Sequence, residues 1–297
     1  MGTVRAAALI NLPEGYNPSD SLHRFAAVLR GKIMNEEKSD MVIKRDILFT
    51  PANEIRRLHI YLPDSYEHSG ERYPVMYFFD GHNLFFNEDA TYGKSWGLKE
   101  FLDGWDKEMI IVGVQCSMTN RLVEYCPYHF TKGFLGEING TGVETLDWMV
   151  GELKPMIDRE YRTWSHREAT AIGGASMGGL MSLFAAIRFN DVFSKAACLS
   201  STIAPCMEDF IRDIDAAKMN PDTRVYLSWG TEEGGGTKAY PRFDTSSEMQ
   251  RRNTLLAGMI ADKGALSRTY GQVGGYHCEA DWEKQVPIFM PFLWQNR

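Results

Sequence analysis

The stretch that most constrains this chain is Ala171-Ile-Gly-Gly-Ala-Ser-Met-Gly-Gly-Leu180, which contains Gly174-Ala175-Ser176-Met177-Gly178, a G-x-S-x-G. Arg167-Glu-Ala-Thr-Ala-Ile172 before it is short and partly β-branched, as a strand is. Leu180-Met-Ser-Leu-Phe-Ala-Ala-Ile-Arg188 after it is apolar at helical spacing. Strand, sharp turn and helix are the context that separates a nucleophile elbow from a chance match. On so tight a turn a serine has strained backbone angles. A side chain at Gly174 or Gly178 is expected to collide with the neighbouring strand or helix. The following helix points its N-terminus at Ser176, where free N–H groups and the dipole favour negative charge.

The rest of the chain supplies what such an elbow needs. Met41–Phe49 and Ile55–Leu62 read as an antiparallel pair at a sheet edge, separated by a turn with Pro51 and Asn53. Tyr73–Phe79 and Glu108–Gln115 are strands buried on both faces. Leu98–Leu102 and Thr145–Asp158 are helices, and Pro155 is expected to kink or tighten the last turns of the second. Strand and helix alternate onward: strands at Ser194–Ser200, Thr223–Trp229 and Leu266–Val273, helices at Met207–Asp215, Met249–Ile260 and Lys284–Trp294. This alternation predicts an α/β fold, a mostly parallel central sheet with helices on both faces. One catalytic domain over residues 41–297 fits better than two. Residues 1–40 read as an extension, with a helix at Ser19–Arg30 and a polar linker at Asn35–Asp40. That helix has the domain or a second subunit of a homo-oligomer to pack on, and the sequence leaves both open.

Charge and cysteine usage exclude several classes. A net charge of -7 without a long Lys/Arg run argues against nucleic acid as a partner. No apolar stretch approaches the roughly 18–20 residues that span a bilayer, and the first residues are too short and weakly charged for a secretory signal. Cys116, Cys126, Cys198, Cys206 and Cys278 are dispersed without paired spacing, which reads as free thiols in a cytoplasm. No metal-ligand cluster is apparent, and the chemistry below needs no cofactor.

A serine hydroxyl needs a base, and the base an orienter. On a sheet of this kind the order is Ser, acid, His, each in a loop after a strand's C-terminal end. His277, in Gly274-Gly-Tyr-His-Cys-Glu after the last strand, is where the base belongs; His166 lies at the wrong end of the elbow strand. The acid belongs after Arg224–Trp229, in Gly230-Thr-Glu-Glu-Gly, and the residues alone leave Glu232 and Glu233 both open. Asp222 and Asp281 are less well placed. For the oxyanion, one donor is the backbone N–H of Met177. The other comes from Asp80-Gly-His-Asn-Leu-Phe85, with the N–H of His82 chosen. Gly81 there is expected to let the backbone approach the site, and the His82 imidazole to form a pocket wall.

Asp80-Gly-His-Asn-Leu-Phe with Tyr92-Gly-Lys-Ser-Trp96, Arg121-Leu-Val-Glu-Tyr-Cys-Pro127, Glu152–Asp158 with Tyr161-Arg162, the elbow, Gly230-Thr-Glu-Glu233, and His277 with Trp282 resemble, in order, the esterase family that includes esterase D-like enzymes, feruloyl and acetyl xylan esterases, siderophore esterases and mycolyltransferases. The resemblance covers roughly residues 41–297. It implies an α/β-hydrolase fold and a Ser–acid–His triad, and its Gly-Thr-x-acid pattern favours Glu233. His82 is a departure, since many relatives carry Gln or an apolar residue there.

The expected activity is serine carboxylic-ester hydrolysis, with acetyl or feruloyl-type esters of carbohydrates as the first substrate class. Trp96, Tyr125, Tyr128, Trp229 and Tyr276 are expected in or near loops above the sheet, where aromatic faces suit a sugar or an aromatic acyl group. Arg121 and Glu124 either bond sugar hydroxyls or form an ion pair that holds the loop. The rivals are acyl transfer to an acceptor other than water, hydrolysis of a small ester or thioester such as S-formylglutathione, and a catalytically silent binding module.

Overall fold

The computed structural model describes residues 37–39, 42–130, 136–233 and 246–294. The helix expected at Ser19–Arg30 lies outside them. A nine-stranded sheet runs through the molecule. Its strands are β1 (Glu37–Ser39), β2 (Val42–Phe49), β3 (Glu54–Tyr61), β4 (Val75–Phe79), β5 (Ile110–Val114), β8 (Thr170–Ala175), β9 (Lys195–Leu199), β10 (Arg224–Gly230) and β11 (Leu266–Gln272), in the spatial order β1-β2-β3-β5-β4-β8-β9-β10-β11. From β5 to β11 every pairing is parallel, while β1, β2 and β3 are antiparallel. A separate two-stranded ribbon joins β6 (His129–Phe130) to β7 (Ile138–Asn139). This is the mostly parallel sheet that the alternating pattern predicted, in the α/β-hydrolase fold that the resemblance implied.

Strands β4, β5 and β8 are buried along their whole length, as strands covered on both faces must be. Alternate residues serve two cores. Tyr77, Phe79, Val112 and Ile172 face one side. Met76, Phe78, Ile111 and Ala171 face the other. The first core is closed by α3 (Gly142–Trp148), α4 (Lys154–Glu160), α5 (Met177–Arg188), α6 (Met207–Ala216) and α7 (Ser246–Asp262). The second is closed by α1 (Leu98–Asp103) and α9 (Val286–Trp294), with α2 (Arg121–Glu124) and α8 (Glu279–Glu283) in the loops. In α5 every residue from Met177 to Ile187 is buried, which accounts for its apolar character on all sides. Among the described residues no helix is long and apolar enough to cross a membrane.

Two local expectations need correction. The polar stretch Asn35–Asp40 is not simply a linker: Glu37, Lys38 and Ser39 pair with Lys44, Ile43 and Val42. An outermost strand needs no apolar pattern, so hydrophobicity could not reveal it. Nor does Pro155 tighten its helix. The preceding turn widens into a π-helix over Met149–Leu153, with Lys154 N–H bonded to Met149 C=O. Proline cannot donate to the carbonyl four residues back and crowds it, and a wider turn accommodates both effects.

Parallel register aligns the strand ends. Ala175 of β8 lies beside Leu199 of β9, Leu199 beside Ser228 of β10, and Gly230 beside Gln272 of β11. The loops beginning at Ser176, Ser200, Thr231 and Val273 therefore emerge along one edge.

Candidate active site

Ser176 occupies the turn between β8 and α5 with φ 60° and ψ −123°, a conformation that non-glycine residues rarely adopt. Three backbone hydrogen bonds hold it there. Its N–H donates to Leu199 C=O at 3.0 Å, and its C=O accepts from Leu180 N–H at 3.0 Å and Thr202 N–H at 3.2 Å. The glycines behave as expected. A Cβ on Gly174 would lie 2.7 Å from Gly178 C, and one on Gly178 would lie 2.9 Å from Phe79 Cβ on β4. Ser176 Oγ rests 3.4 Å from Thr202 Oγ1. Met177 opens α5, so its N–H has no partner within the helix.

His277 Nδ1 lies 3.1 Å from Glu233 Oε2, with the imidazole 39% exposed and the carboxylate 3% exposed. Glu232 is exposed and takes no part in this pair. The other Glu233 oxygen, Oε1, accepts from Ser200 Oγ at 2.5 Å and from Gly230 N–H at 2.6 Å. Ser200 Oγ in turn accepts from Trp282 Nε1 at 2.9 Å. The Trp282 ring stands edge-on to His277, with centroids 5.1 Å apart. Glu233 is thus fixed by one oxygen and presents the other to the imidazole. A carboxylate held this way stabilises an imidazolium and selects the tautomer with Nδ1–H donated to it. Ser200 was missed by sequence reasoning. It has φ 45°, but one serine after a strand carries no motif, and only the strand register brings it to Glu233. Asp222 pairs with Arg167. Asp281 bonds Gln272, Tyr276 N–H and Lys284.

The loop after β4 begins with Asp80 at φ 57° and runs through a tight turn over Gly81–Asn83. Gly81 is required by packing: a Cβ there would lie 2.2 Å from Gly113 C on β5. The His82 imidazole, expected as a pocket wall, is instead buried. It is 7% exposed, with Nε2 2.8 Å from Thr91 Oγ1, and burial lowers its pKa below the usual histidine value.

The expected substrate pocket is also revised. Trp96 is 3% exposed and packs against Phe78 and Trp282 in the second core. Glu124 is buried on Arg56 at 2.6 Å. Arg121 does not pair with Glu124 but makes two bonds to Asp80, Nε–Oδ1 at 2.8 Å and Nη2–Oδ2 at 2.7 Å. These loops fold back into the protein, where a charged or aromatic side chain finds internal partners. Tyr125 and Trp229 are buried too, and Tyr128 Oη donates to Asp213. Tyr276, 60% exposed beside His277, remains at the surface.

Comparison with known proteins agrees with this architecture. The profile of the family described as "Putative esterase" matches residues 51–292. YbbA of Bacillus subtilis, described as uncharacterized, is 27% identical over 227 residues, which are 73% of this chain and 85% of that protein. An IroE-like serine hydrolase from Shewanella oneidensis shares the fold with a TM-score of 0.66 at 22% identity, covering 84% of this chain and 80% of that one. Siderophore hydrolase EstB from Aspergillus nidulans does so with a TM-score of 0.66 at 15% identity, covering 88% and 98%. The chain belongs to the "Putative esterase" family and is a carboxylic-ester hydrolase on an α/β-hydrolase fold.

Proposed function

We propose that the chain hydrolyses oxygen esters through Ser176, with His277 as base and Glu233 as its orienting acid. The observation that carries this reading is the buried Glu233 carboxylate 3.1 Å from His277 Nδ1, on loops that share an edge with the strained Ser176 turn. Ser176 Oγ turns from Thr202 toward His277 Nε2, gives up its proton and attacks the ester carbonyl. The N–H groups of Met177 and His82 receive the oxyanion. His277 then protonates the leaving alcohol, and water activated by the same imidazole releases the acid. The test is hydrolysis of p-nitrophenyl acetate by wild type and Ser176→Ala. The variant is expected to lose roughly 10³-fold or more in kcat, and a serine-directed phosphonate to label Ser176. Retention of more than a tenth of the wild-type rate would reject the nucleophile.

For the substrate we infer an acetyl or feruloyl-type ester of a carbohydrate, supported by the exposed Tyr276 ring beside His277. A second reading, a siderophore ester, draws on the fold shared with EstB. Comparing kcat/KM over acylated sugars, feruloyl esters and a catecholate trilactone decides between them. A competing alcohol in the same assay reveals any acyl transfer. A cytoplasmic location is proposed from the five cysteines, all of them free thiols.

A further inference from the structure

Two side chains of the segment Arg121–Tyr125, the Arg121 guanidinium and the Tyr125 hydroxyl, meet at one residue, while Glu124 between them turns to Arg56. Asp80 has φ 57° and ψ 45°, a left-handed conformation that few side chains besides Asn and Asp adopt. Its carboxylate takes both bonds from Arg121, a planar fork that fixes orientation as well as distance. Its N–H donates to Tyr125 Oη at 3.3 Å, and its C=O accepts from Asn83 N–H at 2.9 Å. Tyr125 is itself locked, 3% exposed, edge-on to Phe79 at 4.8 Å, with the Arg121 guanidinium 5.2 Å from its ring centroid. On the far side Gly81 is wedged against Gly113, so the loop has no room to relax toward β5.

Asp80 also faces the elbow. Its Oδ2 lies 3.4 Å from where a Cβ on Gly178 would stand, in the first turn of α5. Left unpaired, that carboxylate would oppose negative charge developing at Ser176; paired with Arg121, it is neutralised. One contact therefore fixes the backbone leading to His82 and removes a repulsive charge from the elbow.

Resting on the ester-hydrolase reading above, we propose that Arg121 and Tyr125 are positioning residues. They hold Asp80 left-handed and charge-compensated, so that the N–H of His82 meets the oxyanion. They act on the transition state and do not contact bound substrate. Such residues alter kcat and leave KM nearly unchanged, because the ground-state carbonyl carries little of the charge.

The experiment uses the full chain with p-nitrophenyl acetate as substrate and an aryl trifluoromethyl ketone as tetrahedral-adduct inhibitor. Arg121→Gln is expected to lower kcat about 10- to 100-fold, with KM within about threefold and the ketone Ki raised by the same factor as the loss in kcat/KM. Arg121→Lys, which keeps charge without the fork, should recover part of the rate, and Tyr125→Phe should lose less than Arg121→Gln. A rise in KM at unchanged kcat would overturn the proposal in favour of substrate contact. A fall in kcat with unchanged Ki, or wild-type kinetics in both Arg121→Gln and Tyr125→Phe, would also overturn it. If Arg121→Gln does not fold, Tyr125→Phe, which deletes one oxygen, decides alone by the same criteria. Failure of the underlying reading looks different: Ser176→Ala would then keep its rate.

Discussion

Glu232 and Glu233 are sequence neighbours with opposite environments. One is exposed, while the other has both carboxylate oxygens engaged by Ser200, Gly230 and His277. Glu233→Gln is expected to cost roughly 10²–10⁴ in kcat, as loss of a triad acid does. Glu232→Gln should stay within about threefold, as a solvated charge would; steady-state kinetics of the two variants checks the assignment. A second residue-level expectation concerns acid. His59 is 2% exposed, and burial lowers its pKa to about 4 despite Asp89 nearby. The unfolded chain binds this proton nearer 6.5, so it carries more protons than the native state between those values. Stability therefore falls as pH drops from about 6.5 to about 4 and changes no further through this group below that. Urea unfolding at pH 5 and pH 7 should show a smaller pH difference in His59→Gln than in wild type. Such residues differ in how far sequence reveals them. Ser176 and His277 stood out because the chemistry demands those residue types at set places along the chain. Burial of Trp96 and Glu124 could not be read, since nothing local distinguishes a loop that folds inward from one lining a cleft.

Elements were legible where period and covering agree. The buried strands β4, β5 and β8 and the largely apolar α5 follow from their residues, whereas β1 and the π turn arise from pairing and from one proline. The elbow tolerates little added volume. Gly178→Ala sets a Cβ 2.9 Å from Phe79 Cβ and is expected to cost about 1–3 kcal/mol by overpacking. Gly151→Ala, in the π turn, meets nothing within 4 Å and should be neutral or gain up to about 1 kcal/mol. Denaturant midpoints of the two single variants test whether crowding, and not glycine content as such, limits each site.

Across the whole molecule, the antiparallel end of the sheet is tied to the loops over the parallel end by Arg56 and Glu124, whose side chains are each 6% exposed. Glu124→Gln leaves the guanidinium buried with Glu54 as its remaining carboxylate and is expected to cost about 1–3 kcal/mol. The double replacement Arg56→Met with Glu124→Leu should recover much of that, as thermal unfolding of the three proteins would reveal. The register that aligns the strand ends has a kinetic consequence. The contacts that build the site join residues 33, 44 and 82 positions apart: Ser200 to Glu233, Glu233 to His277, and Ser200 to Trp282. None of them can form within one hairpin or one helix, and each waits on closure of a long stretch of chain. During refolding, secondary structure should return before hydrolysis, and the interval between the two signals measures how late the last strand, β11, docks beside β10.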